Sequence, residues 1–303
     1  MNASLAIDQL GSEDVRFILN LLAHEPLVRA SAFCAVLAIM AAWEVIAPRR
    51  ALSISKGTRW ANNLGLVFLN TLILRILFPT AAIGVAIAAS KHGWGALHQL
   101  HLPEGVQILI GFVALDLAIY LQHVMFHAVP VLWRLHRMHH ADLDFDVTTG
   151  TRFHPIEIVL SMVVKFAAIL ALGPPPIAVL LFEVLLNATA MFNHSNARLP
   201  LGFDRVLRWM VVTPDMHRVH HSVLPVEANS NFGFNLSIWD RLLGTYCPQP
   251  SEGHTGMTIG IHDYRDPHLV DRLDGMLILP FKGSVTEYAI NNRSQSAAEK
   301  DPR

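Results

Sequence analysis

The chain has 303 residues, 52% of them hydrophobic and 16% charged, with a mean hydropathy of +0.38 and a net charge of −1. These values exclude an ordinary soluble globule and indicate one membrane-embedded domain, and the neutral balance leaves no basic field for nucleic acid. Cys34 and Cys247 stand far apart with no CxxC pair, which removes iron–sulfur clusters, thiolate zinc sites and a disulfide framework.

The N-terminus, MNASLAIDQLGSEDVRF, lacks the basic and apolar regions of a signal peptide. Residues 1–29, with Glu13, Asp14 and Arg16, read as a short amphipathic helix at the membrane surface. Residues 30–47 are nearly all apolar and long enough to cross roughly 30 Å of hydrocarbon. Pro48, Arg49, Arg50, Lys56, Arg59 and Trp60 follow as a cationic loop, which the positive-inside rule places in the cytoplasm. The stretch 64–89 is a second crossing, interrupted by Asn70, Arg75 and Pro79, and reads as one span with a kink. A loop over 90–104 leads to a third span, 105–127, that delivers the first histidines at its end.

Apolar stretches 156–172 and 177–193 are joined by Gly173, Pro174, Pro175 and Pro176, a turn that cannot continue a helix. They read as a hairpin returning the chain to the histidine side just before His194. A short helix is expected around 235–243, and 282–303 read as a disordered tail. The expected architecture is all-α: an integral membrane bundle of about four to five spanning or re-entrant helices under a cytosolic, histidine-rich helical cap. It divides into N-terminal membrane helices (1–104), a catalytic domain (105–247) and a C-terminal cytosolic segment (248–303).

Ten of the 17 histidines fall in two clusters. His123 and His127 are HxxxH; His136, His139 and His140 are HxxHH; His217, His220 and His221 repeat HxxHH; His154 and His194 stand singly. Residues three and four apart share a helix face. An HxxHH turn therefore either converges three imidazoles on one ion, or gives two to one ion and the third to its neighbour. Neutral imidazole suits iron, zinc, copper or nickel, and ten candidates fit two ions better than one. The same helix face continues backward from His123 to Tyr120 and Asp116, and a matching stripe of Glu183, Asn187, Ala190 and His194 runs along the second hairpin helix. Asp116 and Glu183 either orient ligating histidines or make interhelical contacts without metal. His154 either completes a metal sphere or caps the helix begun by Pro155. The remaining histidines, including His98, His254 and His262, read as ordinary loop or interfacial residues. No HExxH or GxSxG motif is present.

The histidine boxes, with the words LWRLHRMHH, RFHPIE, NHSN, TPDMHRVHH and NFGFNLSIWDRLLGTY, resemble the sterol desaturase and fatty acid hydroxylase superfamily of membrane di-iron oxygenases. The resemblance covers about 112–247 and implies two iron ions under a cytosolic lid. It also implies O2-dependent hydroxylation or desaturation of an unactivated C–H bond in a lipid drawn from the bilayer: sterol or hopanoid, fatty acyl, carotenoid or alkyl lipid. Ala190 stands where an additional box would place a histidine, which raises the weight on His154 as the compensating ligand. His154, Asn231 and Asp240 form the candidate catalytic set, Asn231 and Asp240 as residues that hold the lid or orient ligands. The chain carries no flavin, nicotinamide or cytochrome b5 motif, so a separate ferredoxin, cytochrome or reductase is the expected electron donor. The expected location is a multi-pass position in a bacterial inner membrane with the site on the cytoplasmic face. The competing reading is a histidine-rich zinc or copper transporter, which predicts ligands along several spans near mid-membrane.

Overall fold

The computed structural model describes residues 13–285 and 288–290. Among these the protein is helical, with isolated β-bridges and no strand. The first half contains α1 (Glu13–Ala23), α2 (Glu25–Ile46), α3 (Lys56–Leu77), α4 (Ala81–His92), α5 (Glu104–Ala128) and α6 (Pro130–His140). The hairpin is α7 (Pro155–Leu172) and α8 (Pro176–Asn193). Short helices complete the cap: α9 (Leu201–Leu207), α10 (Pro214–His220), α11 (Pro225–Ala228), α12 (Ile238–Leu242), α13 (Gly253–Gly256), α14 (Pro267–Val270) and α15 (Leu273–Ile278).

Among the described residues, five segments are long and apolar enough to cross a membrane: α2, α3 with α4 taken together, α5, α7 and α8. The α3–α4 pair keeps step with α7. Asn70 donates to the Phe153 carbonyl just before α7 (2.9 Å), Phe78 meets Phe166 edge-on at 5.2 Å, and Gly95 lies against the Gly173 backbone beyond the end of α7. The pair is therefore one span with a break at Phe78 to Thr80, where Pro79 cannot continue the ladder of N–H donors. Gly95 (φ 100°) and Gly173 (φ 67°) approach so closely that a Cβ on Gly95 would lie 2.2 Å from the Gly173 nitrogen. Only glycine fits either position.

The arginine-rich loop after α2 lies on the histidine face, as its sequence position implied. Arg49 Nε donates to Asp215 Oδ1 at 2.9 Å, and Arg50 Nη1 to the Met257 carbonyl at 2.8 Å. The loop between α6 and α7 is acidic, and its carboxylates fasten the N-terminal helices to the cap. Fully buried Arg59 holds Asp142 through two bonds of 2.8 Å and Asp146 through one of 2.6 Å. Asp144 accepts from the backbone nitrogens of Ser53 (2.7 Å) and Ile54 (2.6 Å), and Glu44 from Val147 N (2.7 Å).

The expected tail is corrected in part. Residues 286–287 and 291–303 lie outside the described residues, but Tyr288 and Ala289 are buried. Tyr288 stacks on Trp133 with centroids 5.9 Å apart, because an aromatic face in the cap core outweighs the polar composition of its neighbours. The expected short helix is present as α12.

Removing one partner of a buried ion pair strands the other charge. Arg59→Met should therefore cost about 3–5 kcal/mol of stability, because it leaves Asp142 and Asp146 without their shared cation. Equilibrium unfolding in detergent measures this; a loss no larger than that of an exposed pair such as Arg272 with Asp274 would show that the network is not a fastening.

Candidate metal centre

The bend between α5 and α6 sets the site. Val129 adopts the extended conformation (φ −94°, ψ 116°) favoured before proline, and Pro130 starts α6 at its first position. The turn folds α6 back so that His136 and His140 face His123 and His127. On the other side, Thr213 caps α10 and Pro214 opens it, while His194 closes α8 as its C-cap. Four short determinants thus bring nine histidines together.

They form two buried groups: His123, His127, His136, His140 and His220 in one, and His139, His194, His217 and His221 in the other. Within each group the facing ring nitrogens all lie within 4.8 Å of one another. The two HxxHH turns divide in complementary fashion. The His136–His140 pair of α6 goes to the first group and His139 to the second, whereas His217 and His221 go to the second group and His220 to the first. The three imidazoles of a turn therefore do not converge on one point.

The outer ring nitrogens fix the state of the inner ones. His123 Nδ1 donates to the Phe232 carbonyl (2.7 Å), His220 Nδ1 to Ser230 O (2.7 Å), His139 Nδ1 to Arg152 O (3.1 Å) and His194 Nδ1 to Ala190 O (2.7 Å). A carbonyl only accepts, so each of these neutral rings has its proton on Nδ1 and a lone pair on Nε2. Yet His123 and His220 bring their Nε2 atoms to 3.0 Å, and His139 and His194 theirs to 3.1 Å. Two lone pairs at that distance repel unless a cation lies between them. Two nitrogens bound at the usual metal–imidazole distance of about 2.1 Å and at right angles are about 3.0 Å apart. His221 supplies a second sign, since both of its ring nitrogens are buried without a hydrogen-bond partner. The donor set fits metal ions, one per group.

Burial keeps the rings neutral. It holds His139, His140, His217, His220 and His221 well below the ordinary imidazole value, and pushes His136 and His194 down to about 3. His136 Nδ1 faces Glu157 Oε1 at 2.6 Å, and His127 Nδ1 donates to Asn229 Oδ1 at 3.0 Å. The Asn229 amide is itself oriented by donation to the Tyr288 carbonyl at 2.8 Å. These partners set ring orientation and basicity.

The sequence offers His154 either as a metal ligand or as the cap of the helix begun by Pro155. It belongs to neither group: its Nδ1 accepts from Ile156 N at 3.2 Å, capping α7, and its Nε2 faces the Leu277 carbonyl at 3.3 Å. The second group already holds four histidines without it, so the absence of a histidine at Ala190 leaves no gap for His154 to fill. Asp116 and Glu183 do not touch a histidine either. Asp116 accepts from Asn235 (2.7 Å), Leu236 N (3.2 Å) and Trp239 (2.8 Å), and Glu183 pairs with Lys165 (2.7 Å) and Arg29 (3.2 Å). Both make the interhelical contacts of the alternative reading. The carboxylate that meets a histidine is Glu157, unexpected from the sequence, whose one signal was an acid in the first turn of an apolar helix.

Asn231 and Asp240 hold the chain beneath the first group. Asn231, at φ 51°, donates to Met216 O (2.9 Å) and Cys247 O (2.8 Å) and accepts from Cys247 N (2.9 Å). Asp240, raised to about 6 by burial, accepts from Phe232 N (2.7 Å) and Gly233 N (3.0 Å). A Cβ on Gly233 would meet Asp240 Oδ2 at 2.8 Å, so glycine is required there. The result is a fixed Phe232 carbonyl, the acceptor for His123.

Residues 108–245 match the fatty acid hydroxylase family. An ornithine lipid hydroxylase of Rhizobium tropici is 31% identical over 186 residues, 60% of this chain and 54% of that protein. An alkylglycerol monooxygenase of Xenopus tropicalis is 29% identical over 216 residues, 69% of this chain and 46% of that protein. A sphingolipid C4-hydroxylase of Schizosaccharomyces pombe is 26% identical over 148 residues, 48% of this chain and 50% of that protein. The chain thus spans about half the length of these relatives. No solved structure matches it significantly.

Metal analysis of the purified protein should find two ions per chain, one for each histidine group. His220→Ala and His139→Ala should lower that content, whereas His154→Ala should retain it; equal losses in all three variants would return His154 to the ligand set. Acidification tests the neutral rings. His136 and His194 titrate near 3 when folded and near 6.5 when unfolded, so between those values the unfolded chain binds more protons. Their contribution is complete above about pH 6.5 and falls as pH drops, by about 1.4 kcal/mol per unit for each ring. Unfolding of chelator-treated protein between pH 7 and 5 reads this slope, and a flat profile would contradict neutral burial.

Proposed function

We propose, from the match of residues 108–245 to the fatty acid hydroxylase family, that this protein is an O2-dependent, di-iron hydroxylase of a membrane lipid. The observation that carries the reading is the pair of buried neutral histidine groups at the ends of apolar helices, where an alkyl chain dissolved in the bilayer reaches them without leaving hydrocarbon. His123, His127, His136, His140 and His220, and His139, His194, His217 and His221, would hold the two iron ions, which would supply the activation of O2.

The chain's own residues supply position and dryness. Glu157, Asn229 and the carbonyls of Phe232, Ser230, Arg152 and Ala190 hold the rings in one tautomer, and burial excludes water. Inserting one oxygen atom into a C–H bond consumes O2, two electrons and two protons, and releases water. The electrons come from a separate ferredoxin, cytochrome or reductase. The positive-inside rule, applied to Arg49, Arg50 and Lys56 on the histidine face, supports a cytoplasmic site in a bacterial inner membrane.

Hydroxylation is favoured over desaturation because the relatives carry hydroxylase and monooxygenase names, and a polar lipid with a long alkyl chain is the substrate class those names support. Lipid extracts from cells with and without expression should differ by species heavier by one oxygen atom. His139→Ala and His220→Ala should abolish them. Products lighter by two hydrogens would replace hydroxylation with desaturation, and products persisting in both variants would overturn the site.

A further inference from the structure

The cap carries an apolar surface that its own fold leaves uncovered. In and just beyond α9, Leu201, Phe203, Val206, Trp209 and Met210 are each more than half exposed, with Val206 at 69% and Met210 at 71%. Leu242 (68%) and Leu243 (54%) continue the surface at the end of α12. The two parts are joined: the Arg241 guanidinium lies 4.2 Å from the Trp209 ring centroid and 3.9 Å from that of Tyr246. Ser237 N donates to the Met210 carbonyl at 3.2 Å, and Val212 N to that of Asn235 at 3.0 Å. The segment is stitched to the cap, so its exposure is a built feature.

Its depth is fixed by an independent contact. Asn235, Leu236 and Trp239 all bond to Asp116, and Tyr120 bonds to Thr245 at 2.7 Å. Asp116 lies twelve residues before the end of α5, about 18 Å along an apolar spanning helix. The start of α12 therefore sits well below the histidine end of α5, level with the spanning part of that helix. Arg198 and Arg205 are exposed on the same segment, the pattern of an interfacial element with apolar anchors and cations for phosphates.

We propose that α9, α12 and the Trp209–Met210 turn form a lip sunk into the histidine-side leaflet of the bilayer that α5 crosses, with Arg205 at the level of anionic headgroups. The occupant of the exposed face is lipid. The lip extends the spanning surface sideways beneath the cap, and its existence does not depend on which reaction the histidines serve.

The test uses the full chain in nanodiscs of phosphatidylcholine and phosphatidylglycerol, with Cys34→Ser and Cys247→Ser as background. A fluorophore is attached through Val206→Cys, Leu242→Cys or, outside this segment of the cap, His262→Cys, whose side chain is 85% exposed. Because these side chains are exposed, the substitutions remove no core packing, and Phe203→Cys serves where either lip variant fails to express. Lipid-borne nitroxide should quench the lip positions several-fold more than position 262, and aqueous acrylamide should do the reverse. Acrylamide quenching equal to that at 262 would overturn the proposal. Protection from both quenchers would also overturn it, since a second copy or a protein partner would then cover the face. Arg205→Gln should shrink the difference in lipid quenching between discs with and without phosphatidylglycerol, and an unchanged difference would remove the headgroup contact.

Discussion

Everything in this molecule answers to one electrostatic problem: nine neutral imidazoles, buried together, point lone pairs at one another. His123 against His220 and His139 against His194 are the plainest cases, because both rings of each pair are committed to carbonyl acceptors on their outer side. Water would relieve the crowding in an open site. Here burial removes water, and a cation at each group would relieve it. Outer partners then become as necessary as ligands. The Asp240 carboxylate earns its place by fixing one peptide, Phe232 to Gly233, whose carbonyl faces His123.

The membrane part and the cap share that burden. A helix in lipid must satisfy its polar groups internally, and the carboxylates that lie in the spans do so against neighbouring segments: Asp116 against the Asn235–Trp239 loop, Glu183 against Lys165 and Arg29. The acidic loop after α6 does the same above the bundle by enclosing Arg59. Histidines gathered at the ends of α5 and α8, rather than along several spans, suit chemistry on a lipid better than passage of an ion through the membrane.

Much of this was legible in the residues, and the boundary has physical causes. Apolar length announced the spans, Pro79 the kink and the Gly173–Pro176 turn the hairpin, whereas helical spacing left open whether an HxxHH turn converges on one ion or divides between two. What could not be read was pairing across long sequence separations. Nothing local distinguishes Glu157, which meets His136, from Glu183, which meets two cations; both are acids in apolar helices. His154 was drawn toward the metal by a missing histidine at Ala190, whereas the structure gathers His139, His194, His217 and His221 into that group without it. Tyr288 was lost in a polar tail because its partner, Trp133, lies far back in the chain.

The crossed division of α6 and α10 has a mechanical consequence. Each of these two turns lends side chains to both groups, so neither group can be displaced, tightened or dismantled while the other stays still. A small rotation of α6 would draw His136 and His140 one way and His139 another, straining both sets in a single movement. The nine positions are therefore one gear rather than two sockets. In a family of such chains, substitutions in either turn would be felt across the whole centre, and the spacing between its halves would be the last dimension to change.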